Sequence, residues 1–219
     1  MTRRQWARCG VLVGTVWACG CNGGGTQPPG PPTDVVPSGG NRQSWYYNNP
    51  LPMPLSVTVL DVSGRPVPGV VVTWTVTSSA GAGAVNPAQS TTDANGIAST
   101  SDSVGSNTTQ QVSATVTGLP SPAQFSEFAT TPPTSAAVTV GNNFFSPDSA
   151  ALQVGSMVKW TWNLGGVLHS ITFVSGPSPL PAEVQHSTGS DSVTFTKVGT
   201  YGYHCRFHGV MTGTVVVVH

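Results

Sequence analysis

The sequence predicts an all-β chain of two tandem β-sandwich domains, and three observations carry that expectation. Charged residues make up only 7% of the 219, while 26 glycines and 19 prolines punctuate the chain. With Thr and Val throughout, that balance favours short strands and turns over helices. Apolar and polar residues alternate over short stretches, the period of a half-buried strand. Two Pro-rich breaks, "NGGGTQPPGPPT" at 22–33 and "TPPTS" at 131–135, separate the remainder into pieces of small-domain size.

The first segment, residues 1–21, reads as an export signal. "MTRRQWARCGVLVGTVWACG" has a cationic start and a short apolar stretch that is too brief to span a bilayer. Its end resembles the lipobox of bacterial lipoproteins. That likeness places Cys19 as the lipidated residue, with Val16 at −3 and Ala18 at −1; Cys21 is the alternative. "TRRQWA" is also loosely similar to a twin-arginine signal. An acylated terminus implies a periplasmic or cell-surface protein tethered to a membrane without a spanning helix. Residues 22–33 lack core-forming side chains and read as a flexible, partly extended tether.

Residues 34–131 are expected to form the first sandwich. In "LSVTVLD" (55–61), Leu55, Val57 and Val59 share a face; in "GVVVTWTVTS" (69–78), Val70, Val72, Trp74 and Val76 do so. "QQVSATVTGL" (110–119) is a further strand, and six or seven short strands make a sandwich. "DVSGRPVPG" and "DANG" supply the Asp, Asn, Gly and Pro of tight turns. The ordered pieces "PLSVTVLDVSGRPVPGVVVTWTVTS", "STTDANGIASTSDSVG" and "VSATVTG" resemble bacterial immunoglobulin-like domains of the invasin and intimin type. That resemblance implies a stalk or spacer. The segment has no His and no Cys, and its carboxylates Asp34, Asp61, Asp93, Asp102 and Glu127 are expected at turns.

After a linker at 132–136, residues 137–219 form the second expected domain. "AVTVGN", "ALQVGSMVKWTWN", "HSITFVS", "SVTFTKVGTYGYHC" and "TGTVVVVH" read as strands. Trp160 and Trp162 fall on one face, as do Tyr201, Tyr203 and Cys205. A core of this size is modest, so a bound metal would help hold the domain together.

Cysteine usage points to where such a metal sits. Of Cys9, Cys19, Cys21 and Cys205, only the last lies in expected folded sequence. Exported proteins usually pair their cysteines, so a lone one needs a reason. His208 follows Cys205 after two residues and Met211 follows after two more, while His169 opens the strand "HSITF". Two imidazoles, one thiolate and a distant thioether suit both oxidation states of copper. Zinc takes nitrogen and thiolate ligands as well, but the thioether favours copper. Protons compete with a metal for both imidazoles, so acidification below about pH 6.5 should weaken binding.

"NNFFSPDSAALQVGSMVKWTWN", "LHSITF" and "GTYGYHCRFHGVMTGTVVV" resemble the opening strands, first-histidine strand and ligand loop of cupredoxins. Within these blue copper proteins, the Cys-x2-His-x2-Met spacing is closer to amicyanin than to plastocyanin. The resemblance implies a Greek-key sandwich holding one type 1 copper through His169, Cys205, His208 and Met211. It also implies an apolar docking patch around Phe207, His208 and Val210, with Met211 contributing.

The expected role is therefore a membrane-tethered electron carrier rather than an enzyme, exchanging single electrons with a redox protein such as a cytochrome. The alternatives are copper handling without electron shuttling, or surface adhesion with an accessory copper domain. A second, catalytic copper is not expected. His204 should face away from the site, Val174 stands where a further His would be needed, and His186 and His219 read as solvated. Three of the eight basic residues lie in the first ten positions, so the remainder is mildly acidic. Nucleic acid is therefore excluded as a partner. No nucleophile–base pair or phosphate loop suggests a small-molecule substrate.

Overall fold

The structure, a computed structural model, describes residues 27–219 apart from 79, 80, 82 and 164. The expected signal segment, with Cys19 and Cys21, lies outside the described residues. Every regular element among them is a strand, as the sequence predicts.

The first half is a two-sheet sandwich. One sheet runs β1 (Pro32–Gly39), β3 (Leu55–Asp61), β7 (Ile97–Val104), β5 (Gly83–Asn86). The other runs β2 (Ser44–Tyr46), β9 (Ala123–Thr130), β8 (Thr109–Thr115), β4 (Val71–Val76), β6 (Gln89–Thr91). Alternation does the sorting: Leu55, Val57 and Val59 are fully buried, and Val72, Trp74, Val112, Ala114 and Phe125 face them from the second sheet. The Trp74 and Phe125 rings pack with centroids 5.8 Å apart, and Trp74 Nε1 donates to Ser90 Oγ at 2.9 Å. Asp93 accepts the backbone N–H groups of Asn95 and Ile97, which closes the "DANG" turn. Gly96 in that turn has a φ of +70°, and a Cβ there would lie 2.8 Å from Pro66 Cβ.

Three sequence expectations meet a different arrangement here. Nine strands form among the described residues, rather than six or seven. The end of the 22–33 stretch is also held to the domain, because β1 starts at Pro32 and Gly30 N–H donates to Asp61 at 2.8 Å. Finally, Asp102 and Glu127 are not turn residues. They lie within β7 and β9, 1% and 0% exposed.

The same alternation that buries Ala98 and Val104 carries Asp102 inward, and that of Phe125 and Ala129 carries Glu127 inward. Gln110 Nε2 donates to Asp102 Oδ1 at 2.5 Å, and Gln43 N–H donates to Glu127 Oε2 at 2.6 Å. Asp102 Oδ2, Gln110 Oε1 and Glu127 Oε1 find no partner. Burial pushes the Asp102 carboxyl up to about 6. It pushes Glu127 up to about 7, with the nearby Asp102 charge adding to the effect.

The second half is another sandwich. Its sheets run β11 (Phe144–Ser146), β10 (Ser135–Gly141), β13 (Met157–Asn163), β16 (Thr188–Thr194), and β12 (Ser149–Gln153), β18 (His208–Val218), β17 (Gly199–Cys205), β14 (His169–Ser175), β15 (Val184–His186). The β10–β13 and β12–β18 pairs are parallel and the others antiparallel.

Trp160, Trp162, Tyr201, Tyr203 and Cys205 all point into the core, on the faces that the alternation predicts. Tyr203 is ringed by Phe145, Trp160 and Phe173 at centroid distances of 4.9, 5.6 and 5.7 Å. At the far end of β18, His219 N–H donates to Oδ1 of buried Asn49 at 3.0 Å, joining the two halves.

Candidate metal centre

β17 delivers Cys205 as its last residue, fully buried. Arg206 and Phe207 then turn the chain directly into β18, which opens at His208. The stretch that resembles a ligand loop is thus a tight hairpin with a bulge. His204 pairs with Thr212 and Cys205 with His208, so Gly209, Val210 and Met211 have no partner on β17. A bulge re-aims side chains: Val210 is 88% exposed while Met211 is 1% exposed, in the same core cluster as Cys205.

His169 opens β14 at 0% exposure, and its carbonyl accepts the indole N–H of Trp162 at 3.2 Å. The fold brings the three donors from 36 residues apart into one cluster. Cys205 Sγ lies 3.6 Å from His169 Nδ1 and 3.4 Å from His208 Nδ1. One ligand atom from each of the three residues falls within 4.8 Å of the others. The two imidazoles lie 4.5 Å apart, inclined at 32°.

These separations suit donors that share one ion at bond lengths of about 2.0–2.3 Å. Burial, and then the neighbouring His208, hold His169 below its ordinary pKa, so the neutral imidazole a metal requires is favoured. The donor set of one thiolate and two imidazoles, with a thioether buried in the same core cluster, fits copper.

The sequence reading left several residues around the site unassigned. Ser170, also fully buried, donates its N–H to Cys205 Sγ at 3.4 Å and accepts the N–H of Arg206 on its hydroxyl at 2.8 Å. Thr172, Glu183 and Arg206 continue that polar chain. His186, expected to be solvated in a loop, instead ends β15. It contacts Asp191 at 3.2 Å and meets the Trp162 ring edge-on at 4.9 Å. His204 is half-buried in mid-sheet, opposite Thr172 and Thr212. At the hairpin tip Phe207 is 42% and Val210 88% exposed, while His208 is half-buried; Val167 and Leu168, just ahead of His169 in the chain, are exposed as well.

Comparison with known proteins finds a family model and relatives that resemble parts of the chain. Residues 48–128 match the bacterial Ig-like domain (group 1) family. Amicyanin of Paracoccus denitrificans is 38% identical over 69 residues, 30% of this chain and 52% of that protein, so the match spans about half of that relative. Amicyanin-alpha of Methylorubrum extorquens is 34% identical over 89 residues, 39% of this chain and 74% of that protein. Among solved structures, the Cu(I) form of a point mutant of amicyanin is 30% identical, covering 39% of this chain and 83% of its own, at a TM-score of 0.34. A purple cupredoxin from Nitrosopumilus maritimus is 25% identical, covering 38% of this chain and 99% of its own, at a TM-score of 0.32.

Proposed function

Since the chain belongs to the amicyanin group of cupredoxins and carries a bacterial Ig-like domain, we propose that it is an exported, membrane-tethered carrier of single electrons. One type 1 copper would be held by His169, Cys205, His208 and Met211. The observation that carries this reading is the placement of both imidazole Nδ1 atoms within 3.6 Å of the Cys205 sulfur. When bound, copper supplies a one-electron couple.

The residues of the chain do the rest. Cys205 offers a thiolate whose charge is stabilised by the Ser170 N–H. His169 and His208 would offer imidazole nitrogens from two separate strands, so the fold fixes their spacing. Buried Met211 places its thioether in the same core, as a weak fourth ligand. Trp162 and the aromatic packing below exclude water and hold the donors still, which suits a centre that must change charge with little rearrangement.

The exposed rim of Phe207 and Val210 suits docking of a redox protein such as a cytochrome through a small, short-lived interface. Residues 34–131 would act as a spacer. The lipid anchor rests on Cys19, or Cys21, in the lipobox-like signal. An anchor raises the effective concentration of partners on the same membrane. Full burial of His169 and Cys205 favours a resident ion over one handed on to another protein.

The test is a visible and EPR spectrum of the copper-loaded full chain through a redox titration. The expected result is an intense thiolate-to-copper absorption that bleaches and returns over one electron. Absence of copper uptake, or a colourless centre, overturns the reading.

A further inference from the structure

Resting on the copper reading above, we propose that Glu183 is a positioning residue that holds the Cys205–Arg206 turn through a closed ring of polar side chains. The ring begins at Ser170, which grips both sides of that peptide: its N–H reaches Cys205 Sγ and its hydroxyl accepts the Arg206 N–H. Ser170 Oγ lies 2.9 Å from Thr172 Oγ1, and Thr172 Oγ1 lies 2.8 Å from Glu183 Oε2. Glu183 Oε1 then meets the Arg206 guanidinium at 3.2 Å, which returns the ring to the residue where it started. The same guanidinium donates to Gln185 Oε1 at 3.1 Å and sits 5.0 Å from the centre of the Phe207 ring.

Hydrogen-bond chemistry fixes the direction of this ring. An ionised carboxylate only accepts, so the Thr172 hydroxyl must give its proton to Glu183. Thr172 can then only accept from Ser170, so the Ser170 hydroxyl proton points toward Thr172. That leaves the Ser170 lone pairs facing the Arg206 N–H. The orientation of a fully buried hydroxyl beside the metal ligand is thereby set by a carboxylate near the surface. Charge at Glu183 strengthens every link, because hydrogen bonds in a chain polarise one another. Removing the carboxylate frees the two hydroxyls to rotate, and the turn loses its fixed acceptor.

The primary experiment uses the metal-free full chain and needs no spectroscopic signal. Alkylation of the buried Cys205 thiol is followed by peptide-resolved mass spectrometry, which separates it from the other cysteines. Glu183→Ala and the near-isosteric Thr172→Val should each speed Cys205 alkylation about fivefold, the population change set by one hydrogen bond of ordinary strength. Because the ring acts as a unit, the double variant should be no faster than either single one. Glu183→Gln keeps an acceptor for Thr172 and should restore part of the protection. The unfolding midpoint should fall by no more than that one bond accounts for, about 1 kcal/mol.

In the copper-loaded protein, Glu183→Ala should release copper to a chelator faster by a similar factor and shift the reduction potential. Wild-type alkylation rates in Glu183→Ala, or effects that multiply in the double variant, overturn the proposal. Failure of the wild type to take up copper overturns the electron-carrier reading instead, and the alkylation rates still decide the role of Glu183.

Discussion

Replacing Glu127 with glutamine should stabilise the first domain at alkaline pH and remove much of its pH dependence. Glu127 is fully buried in β9, and its carboxyl is held at about 7 against an ordinary value of 4.5, mainly by burial. Each pKa unit corresponds to about 1.4 kcal/mol, so ionising Glu127 costs the fold about 3 kcal/mol. Asp102, raised from 3.8 to about 6, costs about the same, although the two share one repulsion and their costs do not simply add.

The sign follows from which state holds the proton more tightly. A raised carboxyl pKa means the folded form keeps its proton where the unfolded chain has lost it. The stabilisation is complete below about pH 4, declines as pH rises, and is gone above about pH 7. Protonation also supplies an O–H donor where Asp102 Oδ2, Gln110 Oε1 and Glu127 Oε1 are all acceptors without partners. Glutamine at 127 keeps an acceptor for the Gln43 N–H and never ionises.

Urea unfolding of the full chain at pH 5 and pH 8, resolved by hydrogen exchange in β7 to β9, measures the effect. The wild-type domain should lose several kcal/mol across that interval, and Glu127→Gln should lose about half as much. A wild-type domain equally stable at both pH values, or a glutamine variant weakened equally at both, would refute the reasoning.

Three further outcomes are expected. Gly213→Ala places a Cβ 2.3 Å from the Tyr203 ring, two residues before the thiolate, so it should destabilise the second domain by about 1–3 kcal/mol and perturb the copper absorption; urea titration and a visible spectrum check both. Cys205→Ser should abolish the thiolate-to-copper band while leaving the far-ultraviolet circular dichroism of the strands in place. Asp61 accepts backbone N–H groups of Gly30, Ser63 and Arg65, and those bonds hold its carboxyl well below the usual range. Its contribution is therefore present above about pH 4 and is lost as pH falls through the lowered value; Asp61→Asn should abolish that acid-range dependence and reduce exchange protection at Gly30.

What could be read from the sequence followed from strand alternation. Leu55, Val57, Val59, Trp74, Trp160, Trp162, Tyr203 and Cys205 are buried on the faces their spacing predicts, because a side chain's direction in a strand needs no tertiary information. Alternation also points Asp102 and Glu127 inward, but the habit of assigning Asp and Glu to turns outweighs it.

The clustering of His169, Cys205 and His208 was legible from ligand chemistry and spacing. The bulge that re-aims Met211 was not, since it depends on how β17 and β18 pair. The ring through Ser170, Thr172, Glu183 and Arg206 lay further out of reach. Its links join residues 2, 11, 23 and 36 apart, and only the assembled sheet brings them together.

The bond between Asn49 and His219 lies at the foot of the strand whose opposite tip carries His208. β18 spans about 35 Å at strand rise. In the first domain, Pro32 pairs with Asp61 and Gly39 with Ser56, so the backbone enters at the end remote from Asn49 and climbs toward it. The chain thus enters the first domain at the end remote from its contact with the second. Residues added ahead of Pro32 would therefore lengthen the chain without touching that junction, whereas a second Ig-like module placed there would add its own fixed length.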